Sequence, residues 1–161
     1  MADPKEAQTP PPESGGQPGS RVDPLRAYNF KLDINGINEG HFTECHGLEV
    51  IVSALRYREG GGGPVVRRLA GPVAYGDVTL RYGLTTSREL WNWFQDSVNG
   101  TPSRKNVSIL MTGPDGLSEV FRWNLVDAWP SQWRGAPLDA LGQMVAIESL
   151  TLVFESLNRG G

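Results

Sequence analysis

Two histidines and a single cysteine, His41, Cys45 and His46, are the residues of this 161-residue chain whose types could hold a metal or serve a nucleophile. On a strand, positions 41 and 45 project to one side and 46 to the other. The three therefore cannot close on one zinc, and no fourth ligand stands out. The same alternation separates Cys45 from His46 and disfavours a Cys–His nucleophile pair. The carboxylates are scattered, with no spacing that suggests an acid–base couple. The other candidate for chemistry is the run Gly60, Gly61, Gly62, Gly63. A dinucleotide fingerprint begun at Gly60 or Gly61 meets Val65 or Val66 where its third glycine belongs. A phosphate loop needs Gly-Lys-Ser/Thr, and Pro64 follows instead, with no N–H to offer an anion. The expectation is a non-enzymatic protein with no catalytic residue, no cofactor and no metal. The glycines read as the flexible tip of a hairpin between two extended arms.

Those arms carry Arg56, Arg58, Arg67 and Arg68, and Arg81 lies on a later expected strand. They are read either as solvated side chains or as partners of carboxylates, including carboxylates of a neighbouring subunit. Fifteen Lys and Arg against 18 Asp and Glu give a net charge of -3, which argues against a dedicated nucleic-acid binder. One cysteine excludes an internal disulfide. No apolar run is long enough to span a membrane, and the first residues lack the apolar core of a secretory signal, so no direct membrane anchoring is expected. From Ala2 to Arg21 the only apolar side chains are alanines, interrupted by Pro10-Pro11-Pro12 and Gly15-Gly16. Such a segment buries too little to offset its ordering entropy. Residues 1–24 are expected to form a flexible arm and residues 25–161 a single domain whose folded part ends near Leu157.

Within that domain a period of two dominates. Tyr28, Phe30, Leu32 and Ile34 alternate with polar residues, and Asn35-Gly36 is a favoured hairpin pair, so a return strand carrying Phe42 is expected to pair back. Further strands are predicted at Leu48–Tyr57, Val65–Leu69, Val78–Tyr82, Val107–Met111, Phe121–Leu125 and, last, Leu150–Phe154. Gly113-Pro114-Asp115-Gly116 is a turn by composition. One helix interrupts the pattern over Thr86–Val98, with Thr86 and Glu89 as a capping box and Asn99-Gly100 as its stop. Leu90, Trp91, Phe94 and Val98 share one face, which makes Trp91 a core residue and leaves Trp93 at the edge, where a neighbour could cover it.

The order of landmarks then carries a resemblance. "GHFTECHGLEV" (Gly40–Val50), "YREGG" (Tyr57–Gly61), "LAGP" (Leu69–Pro72), "VTLRYG" (Val78–Gly83), "LWNWF" (Leu90–Phe94), "NLVDAWP" (Asn124–Pro130) and "VAIESLTLVFE" (Val145–Glu155) follow one another. Over roughly residues 26–157 the chain resembles the tail tube protein family of contractile phages and extracellular contractile injection systems, with the type VI secretion tube protein as a more distant relative. That resemblance implies a mainly β fold, a small barrel of two packed antiparallel sheets with one flanking helix. It implies a homo-hexameric ring that stacks into an inner tube, with sheath, baseplate or spike proteins as partners and cargo effector or DNA in the lumen. Assembly would take place in the producing cell's cytoplasm, before the subunit enters a virion or injection particle. The segment Tyr57–Leu69 would reach a neighbouring subunit, so Tyr57, Arg58, Glu59, Gly60, Gly61, Gly62, Gly63, Arg67, Arg68 and Leu69, together with Trp93, form the expected assembly interface. Two alternatives stay open: a specialised initiator or terminator ring of the same tube, and a monomeric β-barrel that binds a ligand in its mouth.

Overall fold

The computed structural model describes residues 30–35, 37, 42–61 and 65–160. The expected leading arm, His41, Gly62 and Gly63 lie outside them. The chain order is β1 (Phe30–Ile34), β2 (Phe42–His46), β3 (Val50–Tyr57), β4 (Arg67–Tyr75), β5 (Val78–Gly83), α1 (Glu89–Val98), β6 (Lys105–Thr112), β7 (Glu119–Arg134), β8 (Ile147–Val153) and β9 (Ser156–Gly160). Every ladder is antiparallel. The main path runs β1-β6-β7-β8-β5-β2, with β9 paired to β7. The fold class is the expected one, two antiparallel sheets with a flanking helix, but β1 and β2 end the path without pairing each other. The barrel is open between them.

One strand builds both sheets. The first part of β7 pairs with β6 and β9, and its last part pairs with β8. Between them Asp127 takes a positive φ of 53°, rare for a residue with a Cβ. Its N–H donates to Asn106 Oδ1 at 3.2 Å, and Val126 O accepts from Glu155 N–H at 3.0 Å. This corner folds one sheet over the other. The enclosed faces supply the core: Ile34, Val78, Leu80, Val107, Leu125, Leu150 and Leu152 are buried. Their alternation along each strand is what the sequence pattern requires of a half-buried sheet.

Three details differ from the sequence expectation. The chain does turn after β1, where Ile37 N–H donates to Ile34 O at 2.8 Å, but the return strand leaves after one bridge. β2 pairs with β5, held there by the Phe42–Tyr82 edge contact and by Arg81, whose Nη1 donates to Glu44 at 3.0 Å. β1 pairs with β6 instead. The sequence also ends in a further strand, β9, beyond the expected last one, and its polar residues gave no alternating signal. Finally, the Thr86–Glu89 box does not cap α1. The helix begins at Glu89 with no side-chain cap bond, and the residues before it form local links from Thr85 Oγ1 and Ser87 Oγ.

The stop of α1 is as expected. Gly100 has φ 80°, its N–H donates to Ser97 O, and Thr101 N–H donates to Asp96 O. These are the two bonds of a Schellman cap. The buried face is not as expected. Trp93 is 2% exposed and Trp91 39%. Two stripes can be drawn on this helix, and they share Leu90 and Phe94. The one through Trp93 is buried, with the Trp93 indole N–H donating to Ser103 O at 2.6 Å. Trp91 lies across the rim, edge-on to Trp133 at 4.8 Å. Trp93→Ala is therefore expected to cost about 3–5 kcal/mol. Trp91→Ala should cost clearly less. Urea denaturation of the two variants checks the order, and a larger loss for Trp91 would reverse the assigned helix phase.

Candidate functional site: an unpartnered hairpin

The projecting element is the β3–β4 hairpin, a two-stranded sheet of its own. Its base is fastened. Gly76 N–H donates to Glu49 O at 3.0 Å, and Tyr75 packs on Phe154 with ring centroids 5.6 Å apart. Gly47 enters the base with φ 92°, and a Cβ there would meet Asp77 O at 2.0 Å, so only glycine fits. Beyond the base the arms are half exposed among the described residues. Val50, Ile51, Val52, Leu55, Tyr57, Leu69 and Val73 are each 47–53% exposed. These residues occupy both faces of the ribbon, so neither face is a solvent face by composition.

The "LAGP" motif finds its role in this ribbon. Val52 pairs with Val73 and Ala54 with Ala70, which sets Gly71 and Pro72 against Ser53 alone. This is a β-bulge, a position that accepts proline and adds twist. A Cβ on Gly71 would come within 2.8 Å of Ser53 O.

Toward the tip the ribbon becomes basic. Arg56 lies opposite Arg68 and Tyr57 opposite Arg67. Arg67 reaches Glu59 at 3.7 Å. Like charges directly opposite each other on a ladder are destabilising unless an anion joins them. Gly61 has φ 94°, which explains a glycine there, while a Cβ on Gly60 would meet nothing within 4 Å. Of the expected interface residues, Tyr57, Arg58, Glu59, Gly60, Gly61, Arg67, Arg68 and Leu69 are thus gathered on one exposed ribbon. Trp93 is not among them, because it is buried under α1. Sequence reasoning missed the apolar part of the ribbon. The signal was there in Val50-Ile51-Val52, an apolar run with no polar alternate.

Cys45 and His46 lie elsewhere, on β2. His46 Nε2 and Glu44 Oε2 are 2.8 Å apart, and Arg81 donates to the same carboxylate. The His46 hydrogen bond first, and Arg81 after it, hold the Glu44 carboxyl below its ordinary value. That interaction is present above the usual carboxylate range and is lost as pH falls through the depressed value. Cys45 and Leu48 line an open cleft of about 470 Å³ facing Phe30, Ile109, Met111 and Trp123. Burial pushes the Cys45 thiol up to about 11. At pH 8 a disulfide reagent should therefore label the native protein on the order of a hundredfold more slowly than the urea-unfolded chain. Native labelling should keep rising with pH, about tenfold per unit, up to that value, whereas labelling of the unfolded chain should level off earlier. Equal rates in the two states would show that the cleft exposes a normal thiol.

The fold, an open two-sheet barrel with a flanking helix, is shared with several solved structures. A chain of the extracellular contractile injection system PVC sheath–tube complex in its extended state superposes with a TM-score of 0.77, at 22% identity over 87% of this chain and 93% of that one. The PVC sheath/tube terminator gives 0.77 at 22% identity, covering 88% and 100%. A chain of the six-fold symmetrised anti-feeding prophage (AFP) baseplate gives 0.71 at 26% identity, covering 86% and 97%. No curated protein sequence matches. Residues 26–158 match the T4-like virus tail tube protein gp19 family, and the chain belongs to that family.

Proposed function

We propose that the chain is the repeating subunit of an inner tube, in a contractile injection system or a phage tail. Six copies close a ring, and rings stack around a lumen that passes cargo or DNA. Sheath and baseplate proteins are its partners in the assembled particle. The observation that carries this reading is the β3–β4 ribbon, half-exposed on both apolar faces. An isolated two-stranded ribbon is marginal in water and needs further packing. Membership of the tail tube family supports another subunit as the source of that packing. Tyr57, Arg58, Glu59, Gly60–Gly63, Arg67, Arg68 and Leu69 form the contact, and the buried Trp93 is left out of it. The likeness to a tube-terminator chain supports a capping ring as a second reading.

The test replaces Gly60–Pro64 with an Asn-Gly turn and trims the arms to match. Shortening a surface loop changes closure entropy by only about 0.6 kcal/mol per halving. The variant should keep its far-UV spectrum and its thermal midpoint, because the buried strands are elsewhere. In light scattering and negative-stain micrographs it should stop at monomers or single rings. Tubes of normal length from this variant would overturn the assembly role of the tip. A wild-type protein that forms single rings and never tubes would select the capping reading.

A further inference from the structure

A second apolar surface stands outside the core, in the connection between β7 and β8. Leu138 is 84% exposed, Leu141 96% and Met144 94%. The segment is nevertheless held in shape. Gly142 N–H donates to Asp139 O at 3.2 Å, and Leu141 N–H donates to Asp139 Oδ1 at 3.0 Å. Gly135 sits against the Trp133 ring, where a Cβ would come within 2.9 Å. At the other end Leu84 N–H donates to Ala146 O at 3.0 Å. A tied turn that presents three large apolar side chains to water is a surface awaiting cover.

Charge indicates what covers it. The connection, residues 135–146, contains Asp139 and no Lys or Arg; Glu148 follows it at the start of β8, and Arg134 ends β7 before it. Residues 50–75 contain four arginines and one glutamate, a net charge of +3, and with the whole chain at -3 the remainder stands at -6. The ribbon is thus apolar and basic, and the turn is apolar and acidic. Both are exposed in the free subunit, so neither covers the other within one chain. Two different, complementary surfaces on one chain are what a head-to-tail interface requires.

We propose that the turn Gly135–Glu148 is the receptor for the β3–β4 ribbon of a second copy of this chain. The inference rests on the ribbon being an assembly contact and names the surface it meets. Leu138, Leu141 and Met144 cover the apolar side chains of the arms, and the acidic residues of the turn face the arginines near the tip.

The test is charge exchange at positions that carry no folding load. Leu141→Arg/Met144→Arg places two cations on the receptor, and Arg67→Glu/Arg68→Glu reverses the ribbon. Each double variant should raise the critical concentration for polymer formation about tenfold or more, which corresponds to 1.4 kcal/mol per interface. The quadruple variant should return toward the wild-type value. A receptor variant that polymerises like wild type, or a quadruple variant no better than the worse double, would overturn the proposal. Should any variant lose its native far-UV spectrum, cross-linking decides. Copies carrying Leu69→Cys and differently tagged copies carrying Leu141→Cys, both with Cys45→Ala, should form a mixed disulfide dimer on oxidation. Its absence would equally overturn the proposal. Normal tubes from the trimmed-tip variant would instead remove the ribbon reading itself. Arrested assembly of that variant beside normal assembly of the receptor variant would remove only the pairing of ribbon with turn.

Discussion

The rest of the structure depends on the corner at Asp127. A sixteen-residue strand is long for a domain of this size, and a straight one would belong to one sheet. The positive φ of Asp127, supported by Asn106, turns β7 so that its two ends serve different ladders. The sheets then face each other and bury Val107 and Leu125 against Leu80 and Leu150. The corner also sets the outer layer. Trp133, on the far end of β7, receives Trp91 from α1. The buried Pro130 is accepted in the same strand because the β7–β8 register shifts beside it.

Closing the core in this way leaves two things unfinished. The path ends at β1 and β2, which do not pair, and the β3–β4 ribbon belongs to neither sheet. Unpaired edges and uncovered ribbons are liabilities in a protein meant to stay single. The ribbon is not blunted by polarity along its length. It is apolar at the base, and charge appears only near the tip, in Arg56, Arg58, Glu59, Arg67 and Arg68. Arginines at the tip discourage two free ribbons from zipping together and still admit a surface of opposite charge. Such a ribbon is consistent with the proposed role, because a subunit complete in itself would not polymerise.

Much of this was legible in the sequence. The period-two strands, the Gly113–Gly116 turn, the Asn99-Gly100 stop and the ribbon around the glycine run all reflect local chemistry: alternation, turn residues, a left-handed glycine. What failed was non-local. The Phe42 strand was assigned to β1 by proximity in sequence, but Tyr82 and Arg81 on β5 offer it an aromatic edge and a salt bridge. The helix phase was ambiguous because both stripes carry a tryptophan and share Leu90 and Phe94. The choice was made by Ser103, whose carbonyl accepts the buried indole N–H of Trp93. β9 was missed because a short strand lying on β7 needs no alternation of its own.

The proposed assembly surface was legible in part, and the reason is physical. Glycines and arginines announce themselves by type, so the hairpin tip stands out in the sequence. Apolar residues such as Val50, Ile51, Leu141 and Met144 look in sequence like any core residue. A sequence records that these side chains must be covered, but not whether the cover comes from the same chain. Only the fold separates the two cases. Among the described residues the core forms without them, and they remain exposed beside the backbone bonds at Gly76 and Ala146. The side chains left exposed after folding are therefore the part of the hydrophobic pattern on which the proposed contacts rest.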